Sequence, residues 1–367
     1  GQYCCPSRLA TAMECSAPAE TETPRTCKRA RVLIMGGTQF IGRATVGRLL
    51  ASACYELTIL NRGKTENPFG DDVRHICCDR RNQKGLLAFL GSQPPWYAVI
   101  DFTAFEPRDS EPLVACKQFI GLYILISTDS VYMACEPAAF VRRDGRLLEE
   151  SACARRIDPT RAAEDEYGAN KLRLEESLQG SGLRFVSLRL PDVLGPYENT
   201  GRQHKLFMQL LRGRKIGNAI GDVGGAGAVK PLSIVFAADV ADAVLAALRA
   251  PADRLEGKSM HVCSAETPNW QQLVEYVAAE LRAHEIEVSL PSYDANKDTG
   301  FISVDVGALD GSQAQQLLAG WRPAPLTQRL DETITWWVNS MWQRFEVEAS
   351  TASKRKRQHG EAQNSRC

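Results

Sequence analysis

No stretch of this sequence approaches the roughly 20 consecutive apolar residues needed to cross a bilayer. Its first residues also lack the ordered charged, apolar and small-residue regions of a signal peptide. A cytoplasmic chain without membrane contact is therefore expected. Net charge is missing too: 44 Lys and Arg balance 44 Asp and Glu. That balance argues against broad electrostatic binding of a polyanion, while leaving room for a local basic patch. Histidine is scarce, at five residues, and no His, Cys or acidic cluster has metal-ligand spacing, so no metal is expected. The 12 cysteines form no CxxC pair. Cys77, Cys116 and Cys263 fall in apolar runs, where a free thiol in a reducing compartment behaves as a small hydrophobe. His75 and His261, each near an apolar run, read as packing or surface histidines rather than ligands.

What is present is apolar material for a large core, 44% of 367 residues. Residues 1–28 mix Cys, Pro, Thr, Ser and Glu without periodicity and read as a flexible leader. Residues 346–367 read as a flexible basic tail, whose Lys354-Arg355-Lys356-Arg357 would also serve as a nuclear-localisation signal. Between them, β-like runs (RVLIM, ELTIL, RHICC, YAVIDF, LYILIS, RFVSLRL) alternate with helical patterns from Ile41, over KGLLAFL, near Leu113 and from Thr160. This rhythm predicts an α/β fold, a doubly wound parallel sheet. The sheet domain is expected over 29–195 with a return segment near 231–262. A smaller substrate lobe, 196–230 and 263–345, should cover the carboxyl edge of the sheet, where ligands of such sheets bind.

Three motifs point to that edge. RVLIMGGTQFIGR, Arg31 to Arg43, runs from a strand through two glycines into a helix. Such a turn gathers unpaired backbone N–H groups and the positive end of the helix dipole at one spot, a site for a pyrophosphate. Gly36 makes the turn, Gly37 keeps side-chain bulk away, and Gly42 lets the helix pack on its strand; Gln39 stands where a middle glycine is expected. In EDEYGANKLRLEE, Tyr167 and Lys171 lie four residues apart, on one helix face. An ammonium beside a phenol favours the phenolate, so the pair is a tuned proton donor. Ser127-Thr128-Asp129-Ser130 ends the strand LYILIS at the same edge, where a hydroxyl would hold a substrate oxygen. Singly, each has a plainer reading: an ordinary βα turn, a solvated Tyr–Lys pair and a helix cap.

In this order the motifs resemble the extended short-chain dehydrogenase/reductase family, in particular its NAD-dependent epimerase/dehydratase branch, over roughly Ala30 to Trp337. The similar pieces are GGTQFIG, STDSVY, YGANK, RLPDVLGP and GWRP. GGTQFIG, DRRN and DFTAFEP are most similar to atypical members, including the plant chloroplast stem-loop-binding proteins. The resemblance implies a Rossmann sheet with Gly36, Gly37, Thr38, Gln39, Phe40, Ile41 and Gly42 around the cofactor pyrophosphate. It implies Asp79 and Arg80 near the adenine, Phe102, Thr103 and Ala104 as a wall beside the adenosine, and Pro191 and Val193 beside the nicotinamide. Thr128 would bond the reacting oxygen and Tyr167 would move the proton, while Lys171 would hold the ribose hydroxyls and acidify Tyr167.

Dehydratases commonly read Thr-Asp-Glu where this chain has Thr128, Asp129 and Ser130, so the resemblance favours epimerisation or simple oxidoreduction. Asp129, Ser130 and Arg202 would face the substrate, with His204 and Lys205 beside a diphosphate or at a solvated helix start. After ELTIL, the acid expected at the ribose 2′-hydroxyl is replaced by Asn61-Arg62-Gly63-Lys64. An arginine there clamps a phosphate, so NADP is expected ahead of NAD. The implied function is an NAD(P)-dependent epimerase or oxidoreductase acting on a nucleotide-sugar or similar small carbonyl or alcohol; a homodimer is open. The alternative is a non-catalytic RNA-binding or NADP-sensing regulatory protein that retains the fold, with only the RGRK and KRKR runs as basic support.

Overall fold

The computed structural model describes residues 29–149, 165–219, 230–318 and 320–342. The leader, the basic tail with its KRKR run, and the first residues of the helix expected from Thr160 lie outside them.

Strand β1 (Ala30–Met35) shows why the apolar runs of this chain are unbroken rather than alternating. Val32 and Ile34 pack on one face of the sheet with Val46 and Leu49 of helix α1 (Phe40–Ser52). Leu33 and Met35 pack on the other with Leu86 and Leu90 of helix α2 (Gln83–Ser92). A strand covered on both sides has no polar face to present. The other strands of this sheet are β2 (Tyr55–Asn61), β3 (Arg74–Cys77), β4 (Ala98–Asp101), β5 (Tyr123–Thr128), β6 (Phe185–Leu190) and β7 (Lys258–His261). They form one seven-stranded sheet in the order β7-β6-β5-β4-β1-β2-β3, with every neighbouring pair parallel. Strand order reverses between β1 and β4, which opens a crevice at their carboxyl ends.

Helix α3 (Glu166–Leu178) carries YGANK and is capped by Asp165, whose Oδ1 accepts from the Gly168 amide at 3.0 Å. Helix α4 (Arg202–Leu211) opens a second apolar core, with Leu206 and Phe207 packed among Trp270, Phe301 and Trp337. Helix α5 (Ala237–Arg249) crosses back onto the sheet face that α1 covers, and β7 then joins the sheet beside β6. Trp321 of GWRP is buried, and its indole donates to the Asp239 carbonyl at 3.1 Å, tying the late chain to α5. Cys116 and Cys263 are buried as expected. Cys77 is exposed, because β3 is the edge strand and the residue stands at its open end. No helix among the described residues is long and apolar enough to cross a membrane.

Candidate functional site

A groove of about 950 Å³ runs along the crevice, from the turns after β1 and β2 to the ends of β5 and β6. At its floor Gly36 has φ +94°, and an added Cβ would lie 2.5 Å from Thr103 Cγ2. A Cβ on Gly42 would lie 2.1 Å from the Gly36 carbonyl oxygen, so α1 closes on its strand only through this glycine. Gly37 differs from expectation: its Cβ would meet Ile59 and Val46 at 2.9 Å, so it is small for the core and does not face a ligand. Gln39 is the N-cap of α1 but makes no capping bond, and the first turn holds no acid. The positive end of a 13-residue helix thus meets the groove without a side-chain anion. Phe40, the first helical residue, sits at φ +40°, in a region that L residues rarely adopt.

Beside this turn, Asn61 organises the end of β2. Its amide donates to Thr38 Oγ1 at 3.2 Å, and its Oδ1 faces Gly63 N at 2.8 Å and His75 Nε2 at 2.9 Å, so His75 braces a turn. Arg62 and Lys64 stand exposed on the rim, joined there by Arg81, which sequence reasoning did not single out. Asp79 spends one carboxylate oxygen on the Arg81 amide, at 3.0 Å. Arg80 is committed inward: it grips both oxygens of Asp101 (2.8 and 2.9 Å), Thr103 Oγ1 (2.7 Å) and the Asp109 carbonyl (2.8 Å). Burial opposes ionisation of Asp101, but Arg80 outweighs it and holds the carboxyl below its ordinary range. Phe102, Thr103, Pro191 and Val193 line the groove, whereas Ala104 is buried behind it against Trp96 and Leu113.

At the far end, Thr128, Tyr167 and Lys171 converge on the same groove. Thr128 Oγ1 accepts from the Ser130 amide at 3.1 Å and lies 3.2 Å from Ser130 Oγ, as the hydroxyl turn predicts. Helix α3 packs so tightly on that turn that a Cβ on Gly168 would lie 2.1 Å from the Ser130 carbonyl oxygen. This contact explains the glycine after Tyr167. The ring of Tyr167 is 44% exposed and lies 6.1 Å from Phe105. Desolvation of its hydroxyl and the nearby Asp129 push its pKa up to about 12, against the hydrogen bond with Thr128.

Lys171 is only 2% exposed, and its ammonium donates to the Ile126 carbonyl at 2.7 Å. Burial pulls its pKa down to about 8, opposed by Asp101 and Glu175. The expected acidification of Tyr167 by Lys171 is therefore absent: the lysine serves β5 and the phenol keeps its proton. Asp129 is buried, and desolvation followed by repulsion from Asp192 raises its pKa well above its ordinary value. Arg202 also differs from a free diphosphate clamp. It ion-pairs with Asp192 and donates to the Phe301 carbonyl at 2.8 Å, while Ser303 Oγ donates to Asp192 at 2.6 Å. His204 faces the Trp337 indole at 3.2 Å and Lys205 lies against Gly300, so neither lines the groove.

Sequence reasoning missed the buried network beneath. Ser127 Oγ donates to Glu175 at 2.6 Å, Arg189 pairs with Glu175 at 2.6 Å, and Tyr132 meets Arg189 at 3.1 Å and His261 Nε2 at 2.5 Å. Burial and Arg189 bring the His261 pKa down to about 3, so the ring is neutral. The signal was a charge inside the apolar strand RFVSLRL and a glutamate one turn beyond Lys171. Glu280, His284 and Asp331 meet on the lobe surface within metal-binding reach of one another, which spacing did not reveal.

Residues 113–263 match the model of the NAD dependent epimerase/dehydratase family. The chain is 25% identical over 221 residues to the chloroplast stem-loop binding protein of 41 kDa b of Arabidopsis thaliana, covering 56% of this chain. It spans about half of that relative's length, 54%. The UDP-glucose 4-epimerase of Thermus thermophilus, solved with NAD, superposes with TM-score 0.65 at 22% identity over 85% of this chain and 100% of its own. The dTDP-glucose 4,6-dehydratase of Streptomyces venezuelae, with NAD and TYD bound, superposes with TM-score 0.64 at 21% identity over 84% of this chain and 97% of its own. Residues 113–263 thus match the NAD dependent epimerase/dehydratase family, and the chain shares its fold with a UDP-glucose 4-epimerase and a dTDP-glucose 4,6-dehydratase.

Proposed function

We propose that this chain is an NAD(P)-dependent epimerase or oxidoreductase acting on a nucleotide-sugar or a similar carbonyl or alcohol. The observation that carries this reading is the meeting of Thr128, Tyr167 and Lys171 with the uncapped start of α1 in one groove. The residues fit a dinucleotide. Gly36 and Gly42 leave no room for side chains at the turn, and the helix start lacks a side-chain anion of its own. Arg62, Lys64 and Arg81 at the rim are the groups for a 2′-phosphate, so NADP is the preferred cofactor. When bound, the nicotinamide supplies the hydride donor or acceptor.

The chain's own residues account for the proton. Tyr167, with its pKa near 12, is protonated at neutral pH and hydrogen-bonded to Thr128, which is the state that donates to a carbonyl oxygen. Taking a proton from an alcohol requires the phenol pKa to fall, and Lys171, one turn along the same helix, would lower it if its ammonium turned from Ile126 towards the groove. Thr128 fixes the substrate oxygen beside Tyr167. Burial favours the protonated form of Asp129, and in that form its carboxyl offers a second hydrogen-bond donor. The test is turnover of Tyr167→Phe on an identified nucleotide-sugar: a loss of about a hundredfold or more with cofactor binding retained supports the reading, and wild-type turnover removes it.

A second reading is a non-catalytic protein that retains the fold and binds RNA or senses NADP; the similarity to a stem-loop binding protein lends support to its RNA-binding form alone. Affinity for a structured RNA that falls steeply with salt and is unaffected by Tyr167→Phe would place the chain there.

A further inference from the structure

This inference rests on the reading that the groove holds a dinucleotide. We propose that Gln39 and Asn199 form a clasp across the groove that makes the dinucleotide a slowly exchanging, resident cofactor. Two independent contacts join elements far apart in sequence. Asn199 Nδ2 donates to Gln39 Oε1 at 3.3 Å. One turn further along α1, the Arg43 guanidinium lies 3.6 Å from the centroid of the Tyr197 ring. Residues four apart on a helix face the same way, so Gln39 and Arg43 together meet the strap 195–201, which joins the strand Asp192–Leu194 to α4. Gln39 and Asn199 both line the groove, so their bond ties its two walls.

The strap is braced for this task. The Glu198 carboxylate accepts from the Gly201 amide at 3.1 Å and the Gln203 amide at 3.3 Å. The Gln203 side chain accepts in turn from the buried Gly195 amide at 2.9 Å. Tyr197 rests 4.8 Å from the Trp336 ring. Gly195 and Gly201 bound the strap at φ +140° and +77°, and Tyr197 between them takes φ +62°. Across the groove, Phe40 beside Gln39 stands at φ +40°. Non-glycine residues persist in that region only where their surroundings over-determine them, and here they flank both halves of the clasp.

A glycine at position 39 would make no such bond. With glutamine there, a dinucleotide whose pyrophosphate sits at the start of α1 leaves only after the strap lifts. A retained cofactor suits a redox-neutral reaction, in which the hydride and the alcohol proton both return to the substrate and no external oxidant or reductant is consumed. A reductase that trades cofactor at every turnover would be limited by the clasp. The inference therefore favours epimerisation.

The experiment loads the full chain with NADPH and follows its displacement by excess NADP in a stopped-flow fluorimeter. The variants are Asn199→Ala, Asn199→Leu, Gln39→Ala and the pair Gln39→Ala/Asn199→Ala. Asn199→Leu keeps close to the size of the side chain and removes both its donor and its acceptor, so neither face of the Gln39 amide finds a partner. Each single variant is expected to release NADPH about fivefold faster, and the pair no faster than either single change, because both remove one bond. Unchanged release from both Asn199 variants overturns the clasp and leaves the dinucleotide reading standing. A wild-type protein that binds neither NADPH nor NADH overturns both.

Discussion

The two ends of the groove are built differently. At the end of β2 the charged groups are exposed and uncommitted: Arg62 and Lys64 have no side-chain partner among the described residues, and the turn below them is shaped by backbone and by Asn61. At the ends of β5 and β6 almost every polar group is spent. Lys171 is held by Ile126, Arg202 by Asp192, and Ser127 by Glu175. An open cationic rim recognises a ligand and tolerates change at the cost of affinity. A wired, buried end fixes proton positions, where change costs turnover.

The largest effect is expected at the turn between the two ends. Gly36→Val places a branched side chain at φ +94°, into Thr103, and should abolish cofactor binding in a protein that still folds, as read by cofactor titration alongside circular dichroism. Tyr167→Phe should separate the ends, cutting turnover by about a hundredfold or more while the dissociation constant for the cofactor stays near wild type. Arg62→Ala should act on the open rim alone. It should weaken NADP by about tenfold or more, corresponding to roughly 1.5–3 kcal/mol for a charged hydrogen bond, with NAD affinity unchanged by calorimetry.

The smallest effect concerns Asp129. Its folded pKa is raised, so above the unfolded carboxylate pKa the native state holds a proton that the unfolded state has lost, and stability falls as pH rises through that window. Asn in its place carries no such proton. The stability of Asp129→Asn relative to wild type should therefore climb from pH 4 towards neutrality in urea titrations, and a flat difference would show that Asp129 ionises normally.

Much of this was legible in the sequence because it depends on local pattern. Unbroken apolar runs separated by helical periodicity specify a two-sided parallel sheet, and Tyr167 and Lys171 share a face by spacing alone. Gly36 and Gly42 could be read as turn and packing glycines for the same reason. What spacing cannot carry is where a side chain's hydrogen bonds go. Gly37 proved to face Ile59, Arg80 to belong to Asp101, and Lys171 to bond a β5 carbonyl rather than the phenol. The Glu175–Arg189–Tyr132–His261 network joins residues up to 129 positions apart. Its only trace in the sequence is a set of polar residues in apolar settings.

Whether the groove is a dinucleotide site is decided by denaturing the purified protein and identifying the released small molecules by mass spectrometry, followed by titration of the stripped chain with NADP and NAD. The expected result is a released or readily rebound dinucleotide at one site per chain, with NADP bound more tightly and the site lost in Gly36→Val. A stripped, folded chain that binds neither dinucleotide would contradict it.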